Sequence, residues 1–192
     1  MHLSRHPFKE LLEDCPVIAA VKSEEGLQRS LQSDSGIIFI LHGDLCGIGK
    51  IVRRVHDAGK TAMVHTDLIS GLSGKDICAV DYLRTETGAD GIISTKPSMV
   101  RHAGEIGMYS VLRVFLLDSM AYENISRQSQ QARPDCIEVL PGLMPKVICR
   151  IVGQEQIPVI AGGLVSDKDD IMNALQAGAV SVSTTKEELW FV

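Results

Sequence analysis

Short runs rich in Val and Ile recur roughly every 20 residues along the chain, and the stretches between them carry apolar residues at helical spacing. Eight such runs stand out: VIAAV (17–21), IIFILH (37–42), TAMVHTD (61–67), GIISTK (91–96), YSVLRVF (109–115), CIEVLP (136–141), PVIAGG (158–163) and VSVST (180–184). Each is almost continuously apolar instead of alternating, the pattern of a strand buried on both faces by helices packed outside a parallel sheet. The alternation of the two periods predicts successive βαβ units. Glycine closes several helices just before a strand, as in DAGKTAMVH, TGADGIIST and AGAVSVSTT. Helix starts are signalled by a hydroxyl three residues ahead of a carboxylate, at Ser73 with Asp76, Ser166 with Asp169 and Thr185 with Glu188.

Even spacing and the lack of an early glycine fingerprint favour a closed barrel over a doubly wound open sheet. The expected fold is α/β, a compact (β/α)8 TIM-type barrel with parallel strands and short helices, occupying residues 1–192 as one domain. Within it, residues 1–15, which include FKELLEDC, are expected to form a helix closing the barrel floor. Barrels of this kind usually need about 250 residues. At least one connection must therefore be short or degenerate, and PSMVRHAGEIG is the expected place.

Composition narrows the picture. Apolar residues make up 45% of the chain and aromatics only 4%, so the core must be built from Ile, Val, Leu, Ala and Met, and disorder is excluded. A formal charge of -5 argues against a generally basic nucleic-acid-binding domain but leaves room for a local basic face. The five cysteines lack any CxxC spacing and fit neither a disulfide framework nor a zinc finger, so reduced, mostly buried thiols are expected. No apolar run reaches signal-peptide or bilayer-spanning length, IIFIL being the longest, so a cytoplasmic protein without a membrane partner is expected.

In such barrels function sits at the carboxyl ends of the strands. Those ends are polar here: strand two ends in His42-Gly43-Asp44, strand three ends in His65-Thr66-Asp67, and Lys96, Arg113 and Glu138 belong to strands four to six. Side-chain alternation puts each His/Asp pair on one face. The group reads equally as loop caps and ion pairs or as a polar rim around a ligand, and no third-ligand spacing calls for a metal. Strand seven ends in Ala161-Gly162-Gly163-Leu164, and strand eight ends in Ser183-Thr184-Thr185 just before KEELW. Loops in those two places, with a short helix start, commonly hold phosphate on backbone N–H groups, although a tight turn and an N-cap would also account for them. Basic residues on expected helices or loops are Lys50, Arg53 and Arg54, then Arg101, Arg127, Arg133, Lys146 and Arg150. Solvated outer faces are the ordinary use of such residues, and RNA contact the more specific one.

Taken together, HGDLCGIGKIV, VHTDLISGL, GADGIISTKPS, LRVFLLDS, PDCIEVLPGLMPKVI, IPVIAGGLV and AGAVSVSTTKEELW resemble the glycerol uptake operon antiterminator regulatory protein family, from about residue 15 to the end. The resemblance implies a regulator that senses glycerol 3-phosphate, binds the leader mRNA of glycerol-utilisation genes and prevents premature termination, with no catalytic residue and no cofactor beyond the effector. It implies phosphate contacts at Gly162, Gly163, Thr184 and Thr185. His42, Asp44, His65, Asp67, Lys96, Arg113 and Glu138 are then our own candidates for the hydroxyl-facing rim. Leader mRNA is the expected partner, and a homo-oligomer stays open. The competing readings are a lyase, isomerase or phosphodiesterase acting on a small phosphorylated metabolite, with Lys96 and an aspartate as acid and base, and a metabolite-binding module acting through a protein partner.

Overall fold

A computed structural model describes residues 7–191. Helix α1 (Phe8–Glu13) leads into β1 (Val17–Val21), and α2 (Glu24–Leu31), β2 (Ile37–Ile40), α3 (Ile48–Asp57) and β3 (Thr61–His65) follow. After a 3-10 turn at Thr66–Leu68 come α4 (Cys78–Tyr82), β4 (Gly91–Ser94), α5 (Pro97–Glu105) and β5 (Tyr109–Phe115). The last part runs α6 (Ser119–Glu123), α7 (Ile125–Ala132), β6 (Cys136–Leu140), α8 (Pro145–Gln154), β7 (Val159–Gly162), α9 (Lys168–Gln176) and β8 (Ser181–Thr184), ending in a 3-10 turn at Glu187–Phe191. All eight strands pair in parallel with their sequence neighbours, and β8 closes on β1.

Alternation along the strands divides the core in two. Ile18, Phe39, Met63, Ile93, Val111 and Ile160 fill the barrel, while Ile38, Val64, Ile92, Leu112 and Val139 pack outward against the helices. Burial on both faces is what the unbroken apolar runs require. Helix α1 sits at the amino-terminal end of the strands: Phe8 and Leu12 join the inner core, and the Phe8 ring stacks on Tyr109 with centroids 4.7 Å apart. Residues 1–6 of the expected floor segment lie outside the described residues.

The glycines after α3 and α9 and before β4 take the left-handed conformation that stops a helix, with φ of 73° at Gly59, 99° at Gly178 and 72° at Gly88. Other expectations need correction. The segment PSMVRHAGEIG forms a regular nine-residue helix, α5, because Pro97 starts it and Met99, Val100 and Ala103 bury one face. Economy is found instead after β8, where only a 3-10 turn follows, while α4 runs on through a π-helical stretch at Leu83–Thr87. The cap of α9 is Asp167, which accepts from the Asp170 N–H at 2.9 Å, while Ser166 bonds the Asp170 carboxylate. The same three-residue spacing thus applies one position later than expected, with a carboxylate as acceptor. Ser73 does accept from Asp76 N, yet it closes a turn, since α4 begins only at Cys78. Thr184, not Thr185, caps the final turn, accepting from Lys186 N at 3.1 Å. Cys15 and Cys136 are buried, but Cys46, Cys78 and Cys149 are exposed, so the thiols are not mostly buried.

Candidate ligand site at the barrel mouth

Beneath the carboxyl-terminal mouth lies a buried polar layer. Arg113 and Glu138 are register partners on β5 and β6 and both turn inward. Arg113 Nε donates to Glu138 Oε2 at 2.6 Å, and Ser183 Oγ donates to Glu138 Oε1 at 2.5 Å. Glu138 is wholly buried, so its charge depends on these two partners. Gly162 makes room for the arrangement: a Cβ there would stand 2.6 Å from both Glu138 Oε1 and Ser183 Oγ. Arg113 and Glu138 both border the open cavity above.

His65 also points into the barrel and is 3% exposed. Burial, followed by the neighbouring Arg113 cation, lowers its pKa to about 4, against the opposing pull of Glu138 and Asp67. The ring is therefore neutral at pH 7. Its Nδ1 accepts from Asp67 N at 3.3 Å, which leaves the proton on Nε2 as a donor.

The remaining rim candidates are dispersed. Asp67 Oδ2 accepts from Thr95 N at 3.0 Å and Thr95 Oγ1 at 3.1 Å, tying the β3 loop to the β4 loop. Asp44 Oδ1 accepts from Cys46 N and Gly47 N and shapes the turn into α3. Lys96 is exposed at the start of α5 and does not border the mouth cavity. His42 is not at the rim with His65: β2 ends at Ile40, and the alternation that turns Ile38 and Ile40 toward the helices turns His42 there too. It lies near Glu24 and Arg54, burial lowers its pKa, and its Nε2 is the one buried side-chain polar atom without a partner among the described residues.

Above the polar layer is a cavity of about 350 Å³ whose border includes Arg113, Glu138, Leu140, Gly163, Leu164, Thr185 and Lys186, with Ala20 and Leu41 also on its lining. Strands β7 and β8 are adjacent, with Gly162 opposite Ser183. Gly163 and Leu164 both adopt positive φ, 74° and 63°, which bends the chain sharply after β7. Among the described residues, no acceptor faces the backbone N–H of Gly163, Leu164, Val165 or Thr185. Exposed Lys186 brings a cation to the same edge, with no ion-pair partner among the described residues. Thr184 differs from its neighbours, since its hydroxyl donates to Val165 O at 3.0 Å and accepts from Lys186 N, and it therefore positions the two loops. Ser183, Leu140 and Lys186 are not among the site residues expected from the sequence. Only Ser183 had a usable signal there, its two-residue spacing from Ser181 on one strand face.

The basic candidates are scattered over the outside. Arg54 is paired with Glu24 at 2.6 Å and Arg101 with Glu105 at 2.9 Å. Lys50 and Arg53 are exposed on α3, Arg127 is exposed on α7, Arg133 follows α7 with φ of 48°, and Lys146 and Arg150 are exposed on α8. Among the described residues no group of three or more His, Cys, Asp or Glu side chains is placed to hold a metal, and no helix is long and apolar enough to cross a membrane.

Comparison with known proteins places this barrel among relatives. YgcP, an uncharacterized protein of Escherichia coli (strain K12), is 45% identical over 184 residues, covering 96% of each chain. The crystal structure of a glycerol uptake operon antiterminator regulatory protein from Listeria monocytogenes matches with a TM-score of 0.87 at 33% identity, over 91% of this chain and 94% of that one. A glycerol uptake operon antiterminator-related protein from Thermotoga maritima matches with a TM-score of 0.81 at 32% identity, over 92% and 98%. The family model for the glycerol-3-phosphate responsive antiterminator matches residues 17–190, and on these grounds the chain belongs to that family.

Proposed function

We propose that this protein is a transcription antitermination regulator whose barrel mouth binds glycerol 3-phosphate, and that the liganded form is the one that binds leader mRNA. The observation that carries the reading is that Gly163, Leu164, Val165 and Thr185, whose backbone N–H groups meet no acceptor among the described residues, border one cavity together with Lys186. Such donors suit a phosphate, because they are fixed in place and carry no competing charge. Gly163 and Thr185 take the phosphate through their N–H groups, and Thr184 holds the loops in position. The glycerol hydroxyls face the opposite side, where the outer guanidinium nitrogens of Arg113 donate and Glu138 keeps that group aimed.

No metal or cofactor is assigned. The enzyme reading gains no support from the acid and base it would need: Lys96 stands outside the cavity, and Asp67 is engaged by the β4 loop.

Thermal unfolding tests the assignment. A ligand that binds only the folded state stabilises it by about 2.7 kcal/mol at one hundred times its Kd. For a chain of this size that corresponds to a rise in Tm of roughly 5–10 °C. Glycerol 3-phosphate is expected to produce such a rise and glycerol at equal concentration is not. Equal shifts, or none with either, would refute phosphate recognition at the mouth.

A further inference from the structure

We infer that the RNA lies across α8, with its backbone in the groove between α8 and α9. This rests on the antitermination reading and adds the surface to it. The groove has a volume of about 530 Å³, and its polar lining is Lys146, Cys149, Arg150, Asn173 and Gln176. In a chain with 24 acidic residues, a groove lined by two cations and two amides without a carboxylate marks a place suited to an anion. Lys146 and Arg150 are exposed, have no ion-pair partner among the described residues, and stand one helical turn apart, about 6 Å along the axis. That spacing lets each reach a different phosphate of one strand. Asn173 and Gln176 each offer a donor and an acceptor, as a base edge requires.

The far side of α8 is less suited to an RNA backbone. There Arg150 also borders a hollow of about 430 Å³ together with Leu117, Tyr122 and Met144, but Asp118 and Glu123 line it too. The other basic candidates are weaker, since Arg54 and Arg101 already have carboxylate partners.

A short path connects this helix to the ligand site. Gly163, a residue that borders the mouth cavity, offers its carbonyl to Gly142 N at 3.1 Å, and Gly142 lies three residues before the start of α8. The approach is close: a Cβ on Gly142 would stand 3.1 Å from Gly162 N and 3.2 Å from its carbonyl oxygen. A ligand that orders the β7 loop therefore also orders the segment from which α8 starts, and with it the position of Lys146.

The experiment uses RNA enriched on the full-length protein from a random-sequence pool in the presence of glycerol 3-phosphate, then labelled for titration over a range of salt. Lys146→Glu with Arg150→Glu is compared with Lys50→Glu with Arg53→Glu on α3, and with the milder Lys146→Gln, Arg150→Gln pair. The α8 charge reversal is expected to weaken RNA binding at least tenfold. The glutamine pair should lower the salt slope by about 1.4, the share of two phosphate contacts on a single strand. The α3 variant should stay within twofold of the parent, and all variants should keep the thermal shift with glycerol 3-phosphate. RNA bound equally by parent and α8 variants overturns this surface while leaving the antitermination reading intact, and so does an equal loss in the α3 variant. Failure of the parent to enrich any RNA overturns both.

Discussion

Glu138 shows how a single buried charge shapes the mouth. One of its oxygens accepts from Arg113 and the other from Ser183, so it fixes the direction of the guanidinium while bordering the cavity itself. His65, in the same layer, yields a pH prediction. Its pKa lies below the ordinary value of 6.5, at about 4. The unfolded chain therefore takes up a proton at this ring as pH falls through 6.5, whereas the folded chain resists until about pH 4. Its contribution to stability is complete above that window and is lost on acidification across it, by roughly 3 kcal/mol. Urea unfolding between pH 7 and 4 should show His65→Gln losing less stability than the parent by about this amount. Parallel curves would mean that Arg113, Glu138 and Asp67, which face the ring, dominate the acid response. The inward direction of His65 and the outward one of His42 were not legible in the sequence. Strands apolar on both faces carry no alternation from which to tell inside from outside, so the repeated His-x-Asp pattern looked equivalent at two places where it is not.

At the scale of elements, the eight strands were readable because their β-branched runs and glycine stops agree, and β1 and β5 have the bounds the pattern implies. Helix starts were less legible, since several hydroxyls and carboxylates compete for one cap within a few residues, as Ser166 and Asp167 do before α9. The length of α5 is hard to see in the sequence because glycine and proline near its edges obscure a good apolar stripe. Helix α1 separates stability from function in a testable way. Leu12 is fully buried among the inner residues at the floor, away from the mouth. Leu12→Ala should cost about 2–5 kcal/mol in denaturant unfolding. Under folding conditions its affinity for glycerol 3-phosphate should equal that of the parent. A matching loss of affinity would mean that floor and mouth are not energetically separate.

For the whole molecule, the net charge of -5 and the local groove on α8 together favour an RNA surface confined to one flank. If ligand and RNA share one preferred conformation, linkage requires each to tighten the other by the same factor, commonly about 5- to 150-fold. Calorimetric titration of glycerol 3-phosphate with and without saturating RNA, set against RNA titration with and without the ligand, should return one factor from both directions. Two different factors would mean that the assayed species are not the same complexes, and a factor of one would remove the coupling. The β7 loop carries a last implication. Under the proposed phosphate contact, Gly163 would serve the mouth with its N–H while its carbonyl accepts from Gly142 N, so both duties fall on main chain. Replacing side chains around it would then retune such a sensor gradually, whereas inserting or deleting one residue in that loop would uncouple its two halves at a stroke.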